Sequence, residues 1–204
     1  MRSLFINTSS FYMSLAILED GKLLYKKEEE ILVDMASKII PEIELSFNNV
    51  SFGLEDIDKI FVVNGPGSFT GVRVGVTVAK TIAWALKKDV IPLSSLQLLA
   101  TTPVETDNVI SVIDARRGYV FAGVYDKDLN IVMPDKYILK DDLEEYLDNG
   151  TMVSYDKLDG VSMPSIDIVK IVEKHKNDDS INPHALKPNY LKLTEAEEKK
   201  KENK

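Results

Sequence analysis

The chain has 204 residues, a net charge of −8 at neutral pH, no cysteine and only two histidines. That length suits one domain of two lobes or two small domains, and 44% hydrophobic with 28% charged residues excludes wholesale disorder and fibrous repeats. The absent cysteines remove disulfides, zinc ribbons, iron–sulfur ligands and thiol nucleophiles, and the acidic balance opposes a broad phosphate-binding surface. The first residues, Met1 to Ile6, turn polar at Asn7-Thr8-Ser9-Ser10 without an apolar signal core, and the most apolar stretch, Val72 to Leu86, carries Arg73 and Lys80. A cytoplasmic protein with no membrane partner is the expectation.

Residues 4 to 27 read as a meander of three short strands, Leu4 to Ile6, Met13 to Leu18 and Lys22 to Lys26, with Asp20-Gly21 as the hairpin turn because both residues tolerate positive φ. Met35, Ile39, Ile43, Phe47 and Val50 recur at three or four residues and predict an amphipathic helix near 34 to 49, with Pro41 kinking it or marking its start. Ile57 to Val63 predicts a buried strand, Gly65-Pro66-Gly67 a reversal, and the residues to about Leu86 a helix, which together make an α/β crossover. Val90 to Leu93 is a further strand, and Ser94-Ser95 caps a helix through about Ala100.

After Thr101-Thr102-Pro103 a second meander follows: Val109 to Ile113, Tyr119 to Tyr125 and Ile131 to Met133. A helix near Lys140 to Leu147, a strand near Met152 to Tyr155 and a helix from about Ser165 to Lys174 complete it. Two meanders, each followed by helices and strands, imply duplication of topology rather than of sequence. The boundary falls near 102 to 107, giving an N-terminal lobe 1–103, a smaller C-terminal lobe 104–192 and a charged tail 193–204 that is a frayed helix or a solvated segment.

The glycine run Gly65-Pro66-Gly67-Ser68-Phe69-Thr70-Gly71-Val72-Arg73-Val74-Gly75 carries the most information. A glycine turn opening a helix suits either pure architecture or an anion, since free amides and the helix dipole favour negative charge. It matches neither the Walker nor the Rossmann spacing. Gly71, Gly75, Ala79 and Ala83 then place a stripe of minimal side chains along one helix face, and glycine there costs about 1 kcal/mol relative to alanine unless another backbone approaches closely. The stripe packs either on the chain's own sheet or on a helix of another subunit, with Val72, Val76 and the helix of residues 34 to 49 completing an apolar face.

Catalytic constellations are missing. His175 and His184 lie in polar, peripheral surroundings, no Gly-x-Ser-x-Gly elbow is present, and no metal ligand set is visible. Asp114 with Arg116 and Arg117 forms a polar turn that either binds an anion or ties the turn to its neighbours.

Phe5-Ile6-Asn7-Thr8-Ser9, the glycine run, Ile113-Asp114-Ala115-Arg116-Arg117-Gly118 and Pro188-Asn189-Tyr190-Leu191-Lys192 together resemble the TsaB (YeaZ) family, the accessory subunit of the bacterial system that makes threonylcarbamoyladenosine in tRNA. The resemblance implies an α/β, actin-like ATPase fold of two ribonuclease-H-like lobes, each a mixed sheet with flanking helices. It also implies TsaD and TsaE homologues as partners, a homodimer when alone, and tRNA reached only through the complex. In the catalytic paralogue two histidines four apart hold the metal; Ser95 and Leu99 stand at the matching positions, and leucine offers no lone pair. Where actin-like ATPases carry an aspartate serving magnesium, this chain has Asn7.

The resulting expectation is a scaffold with no catalytic residue, metal or cofactor of its own, ATP or ADP lodging at most at the complex interface. Met35, Ile39, Ile43, Gly71, Val72, Gly75, Val76, Ala79 and Ala83 are the candidate interface residues. Asn7, Gly67, Ser68, Thr70, Asp114 and Arg116 are the candidate nucleotide or phosphate contacts. A bulky residue at position 75 is expected to weaken TsaD binding while the fold survives. The competing readings are a nucleotide-dependent enzyme using the Gly65 to Gly75 turn and, last, a glycoprotease-like metallopeptidase.

Overall fold

The computed structural model describes residues 1–31 and 33–192, so the charged segment 193–204 lies outside the described residues. The chain opens with the antiparallel meander β1 (Arg2–Asn7), β2 (Tyr12–Glu19) and β3 (Lys22–Glu30), turned at Asp20 and Gly21, both with positive φ. Helix α1 (Met35–Phe47), strand β4 (Lys59–Gly65), helix α2 (Phe69–Leu86), strand β5 (Asp89–Ser94) and the short α3 (Ser95–Leu99) follow. β4 lies parallel to β1 and β5 parallel to β4, giving a five-stranded sheet in the order β3-β2-β1-β4-β5.

The second half repeats the plan. β6 (Asn108–Asp114), β7 (Tyr119–Asp126) and β8 (Ile131–Leu139) form the meander, and β9 (Gly150–Val153) pairs parallel with β6, giving β8-β7-β6-β9. One 3₁₀ turn, Lys140–Leu143, leads into α4 (Glu144–Leu147), and α5 (Ile168–His175) follows the strands. Both sheets therefore run third, second, first, fourth from their meander edge, the duplicated topology that the two sequence meanders imply.

Central strands are mostly apolar because both faces are covered, with Ser14 on β2 and Ser111 on β6 as buried exceptions. Leu4, Ile6, Met13, Leu15, Ile17, Ile60 and Val62 turn toward α1 and α2, whereas Phe5, Ala16, Leu18, Phe61 and Val63 turn toward the other half. There they join Leu96, Leu99, Val109, Tyr125, Val153 and Ile171 in one cluster shared by the two sheets. A third cluster, with Ile110, Val112, Val124 and Leu143, fills the outer face of the second sheet.

Several elements differ from the sequence expectation for local reasons. Pro41 sits inside α1, which starts six residues earlier at Met35, so the proline neither begins nor ends the helix. β8 runs on past Met133 to Leu139 through Pro134, because an edge strand tolerates a residue that cannot donate to the ladder. The predicted helix over 140 to 147 is a 3₁₀ turn followed by a single α turn. α5 begins at Ile168 rather than near Ser165, since the Asp167 side chain accepts from the Lys170 amide and sets the first turn.

The small-residue stripe faces inward. Gly71 and Gly75 press on Thr8 just beyond β1: a Cβ on Gly71 would overlap the Thr8 carbonyl oxygen, and one on Gly75 would overlap the Thr8 hydroxyl. Thr8 Oγ1 donates to the Gly71 carbonyl at 2.7 Å, and Ala79 and Ala83 are fully buried against the same sheet. The close approach that two helical glycines require is therefore made by the chain itself.

This arrangement bears against one part of the expectation for position 75, that the fold survives a bulky residue there. Gly71→Ala collides with backbone, and a bulky residue at Gly75 collides with Thr8 and approaches Ile6, so both substitutions strike the fold first. We expect Gly71→Ala to lower unfolding free energy by roughly 1–3 kcal/mol in urea titrations, with Gly75→Leu costing at least as much. A wild-type midpoint for both variants would contradict this packing.

Candidate functional site

The carboxyl ends of β1, β4, β6 and the segment after β9 converge between the sheets, the usual place for a ligand crevice in open α/β sheets. A cavity of about 440 Å³ opens there. Asn7, Gly67, Ser68, Thr70 and Asp114 all lie on its wall, so the structure brings these sequence-predicted residues together. Arg116 does not join them: it is an exposed turn residue with φ 69°, and its amide donates to Asp114 Oδ1 at 2.8 Å.

Asn7 closes its own loop. Its Oδ1 accepts from the Ser9 amide at 3.0 Å and the Ser9 hydroxyl at 2.8 Å, and the residue is 2% exposed. The glycine turn is occupied in the same way. Ser68 N donates to the Ser9 carbonyl at 2.7 Å, Ser68 Oγ accepts from Gly71 N at 3.3 Å, and a Cβ on Gly67 would overlap the Ser9 oxygen. Backbone carbonyls from the β1–β2 loop thus rest on the turn whose free amides suggested an anion.

Sequence reasoning passed over much of the rest of the wall. Phe11, Phe121 and Tyr155 supply aromatic surface, and Asp34 and Asp156 supply carboxylates. Asp156 Oδ2 accepts from the Asp114 amide at 2.7 Å, and burial, reinforced by the Asp114 charge, raises its pKa above the ordinary carboxylate value. Burial likewise raises Tyr155, with Glu28 adding to it. The available signal was positional: Asp156 follows a predicted strand closely, as Asn7 and Asp114 end theirs.

Ser95 and Leu99, one turn apart on α3, also face the cavity, and the Ser95 hydroxyl donates to the Pro66 carbonyl. Among the described residues no group of three or more histidines, cysteines, aspartates or glutamates is placed to hold a metal. His175 is not the surface residue its sequence neighbours suggest. Its Nε2 lies 2.7 Å from Gln97 Oε1 and its Nδ1 2.6 Å from Asp178, joining α5 to α3.

A second polar group ties the halves together. Asp135 on β8 accepts from the Tyr125 hydroxyl and from Ser94 Oγ, while Ser94 Oγ also accepts from Leu96 N at 3.1 Å as the cap of α3. Burial raises the pKa of Asp135, and the two hydroxyl donors only partly offset it. The candidate interface residues are displaced in the opposite sense: Met35, Ile39, Ile43, Gly71, Val72, Gly75, Val76, Ala79 and Ala83 are buried within this chain, so none of them is available surface.

The exposed side of the same helices is apolar nonetheless. Ala36, Phe69, Arg73, Val74, Thr77 and Val78 line a groove of about 400 Å³ between α1 and α2. The Arg73 guanidinium lies 3.7 Å over the Phe69 ring and its Nε donates to Tyr190 at 2.8 Å, with Phe69 and Tyr190 stacked at 5.5 Å. Ile40, Leu45, Phe69 and Trp84 are each more than half exposed.

The family model described as TsaD, tRNA N6-adenosine threonylcarbamoyltransferase, matches residues 34–165. The tRNA threonylcarbamoyladenosine biosynthesis protein TsaB of Bacillus subtilis (strain 168) is 30% identical over 98% of this chain and 97% of its own length. The chain belongs to the TsaB family. The protein of the same name from Escherichia coli (strain K12) is 31% identical over 64% of this chain and 57% of its own. The solved structure of YeaZ from Pseudomonas aeruginosa superposes with a TM-score of 0.78 at 22% identity, covering 93% of this chain and 99% of that one. That likeness carries the fold, two paired mixed sheets with flanking helices.

The Asp135 tie makes a pH prediction. The folded protein holds this proton more tightly than the unfolded chain, so the contribution of Asp135 to stability is fully present below its unfolded pKa, near 3.8, and is lost as pH rises through the raised folded value. Unfolding free energies measured from about pH 4 to 7 should show a smaller decline in Asp135→Asn than in wild type. Parallel profiles would show that Asp135 is not buried against hydroxyls alone.

Proposed function

We propose that this chain is a non-catalytic scaffold in tRNA threonylcarbamoyladenosine biosynthesis, docking a TsaD homologue on the outer faces of α1 and α2. The family membership supplies the pathway, and the exposed groove supports the mode of action. Its wall mixes small apolar residues with Phe69 and Arg73, and Tyr190 and Trp84 lie exposed nearby, the residue types that dominate binding energy at protein interfaces. A stable complex needs roughly 800 Å² on each partner, which two adjacent helices of 13 and 18 residues can present.

In this reading the inward stripe serves the interface indirectly, by holding α2 rigidly against the sheet so that its outer face has one shape. The same face pairs two copies when the protein is alone. A TsaE homologue joins the assembled complex, tRNA is contacted through it, and ATP or ADP belongs at the interface with TsaD rather than on an independent site. The proposed setting is the cytoplasm, and among the described residues no helix is long and apolar enough to cross a membrane. Leu99, facing the cleft one turn from Ser95 with no lone pair to offer a metal, supports placing the transfer chemistry in the partner.

Thr77 is exposed on the groove wall and takes no part in the core, so it separates docking from folding. We expect Thr77→Arg to weaken association with the cognate TsaD homologue by at least about tenfold, equivalent to about 1.4 kcal/mol, with unchanged circular dichroism. The homodimer should weaken in parallel in sedimentation, and reconstituted tRNA modification should fall. Wild-type affinity for TsaD in this variant would displace the interface from the groove.

A further inference from the structure

We infer that Arg73 is a preorganised carboxylate receptor: in the docking proposed above, on which this inference rests, it takes an aspartate or glutamate side chain of the TsaD homologue. Arg73 is exposed on the outer side of α2, and among the described residues that line the groove it alone is charged. Its guanidinium is a fork of N–H donors. Nε donates to the Tyr190 hydroxyl at 2.8 Å and the guanidinium carbon lies 3.7 Å over the Phe69 ring, while the terminal amino groups have no partner among the described residues. No carboxylate of those residues forms an ion pair with it either.

The group that pins Arg73 is itself anchored. Phe69 and Tyr190 stack at 5.5 Å, and Tyr190 belongs to the segment Pro188-Asn189-Tyr190-Leu191-Lys192. Asn189 N donates to the Asn64 carbonyl at 2.7 Å, Asn64 Nδ2 donates to the Lys187 carbonyl at 3.1 Å, and Leu191 packs on the cluster between the sheets. A Cβ on Gly65 would come within 2.9 Å of the Asn189 oxygen, so the first glycine of the run makes room for this segment. An arginine held by a ring and a phenol has less rotamer freedom left to lose on binding.

Charge decides what covers it. Burying a lone guanidinium under apolar surface is unfavourable, whereas a carboxylate answers it with paired N–H···O bonds. A phosphate fits worse, because no second cation lines the groove among the described residues, and the wall of Ala36, Val74 and Val78 with Thr70 and Thr77 suits the methylene of an acidic side chain.

The same charge separates partners. In a two-fold pair the same surface meets itself. No acidic residue lines the groove, so a second copy brings Arg73 toward Arg73 and self-association forgoes the ion pair. Arg73 therefore favours the foreign partner over a second copy.

The test measures binding of the full chain to the cognate TsaD homologue by titration calorimetry and self-association by sedimentation, for wild type, Arg73→Gln, Arg73→Lys, Tyr190→Phe and Thr77→Arg. Arg73→Gln should weaken the heterodimer at least about tenfold and leave the homodimer as strong as wild type or stronger. Arg73→Lys keeps the charge without the fork and should also bind the TsaD homologue more weakly, and Tyr190→Phe, which frees Nε, should weaken it severalfold. Raising salt from about 0.05 to 0.5 M should weaken the wild-type heterodimer more steeply than that of Arg73→Gln. If Arg73→Gln misfolds, Tyr190→Phe, which deletes one hydroxyl, carries the same comparison. Weakened binding in Thr77→Arg with wild-type binding in Arg73→Gln overturns the receptor and leaves the docking face standing, whereas wild-type binding in both removes the docking face and the receptor with it. Equal weakening of heterodimer and homodimer by Arg73→Gln, or equal salt slopes, also overturns the inference.

Discussion

The contact between the exit of β1 and the first turns of α2 is the constraint on which the rest of the structure depends. Thr8 and Ser9 lay their carbonyls on Gly67, Ser68 and Gly71, and the Thr8 hydroxyl donates back to Gly71. No Cβ fits at either glycine. That backbone-on-backbone approach fixes the pitch of α2 over the sheet, and α1 packs beside it. Two surfaces then follow from a single anchor: the inner cleft, where the first turn of α2 forms part of the wall, and the outer groove along its exposed side.

The anchor also decides what the glycine turn can accept. A glycine turn before a helix is chemically ready for phosphate, yet here the protein's own peptide oxygens take that role. Asn7 turns its carboxamide back on Ser9. The charges left in the crevice are carboxylates, and the arginines that sequence placed beside Asp114 point elsewhere, because the positive φ of Arg116 and Arg117 carries the turn outward.

Much of the framework was legible from residues alone. The Asp20-Gly21 hairpin, both meanders, the crossover through Gly65 to Gly67 and the stripe on α2 stand where spacing and turn chemistry put them. What spacing could not decide was the direction of that stripe. A row of small side chains shows that a backbone comes near, without telling whose, and Thr8 proved to be the neighbour. Elements that depend on distant partners were hidden for the same reason: β8 continues through Pro134 only because β7 lies alongside, and Asp156 becomes part of the wall only after β9 pairs with β6. The Asp135 tie joins residues from β8, β7 and the end of β5, a grouping without any local trace.

The cluster shared between the sheets makes the two halves poor candidates for separate existence. Phe5, Phe61 and Leu93 from one side meet Val109, Tyr125 and Val153 from the other, and α3 and α5 lie in the same layer. Severing the polypeptide between β5 and β6 would uncover a sticky slab on each fragment. The seam between the sheets is itself interior, so a mutation there reaches both halves at once.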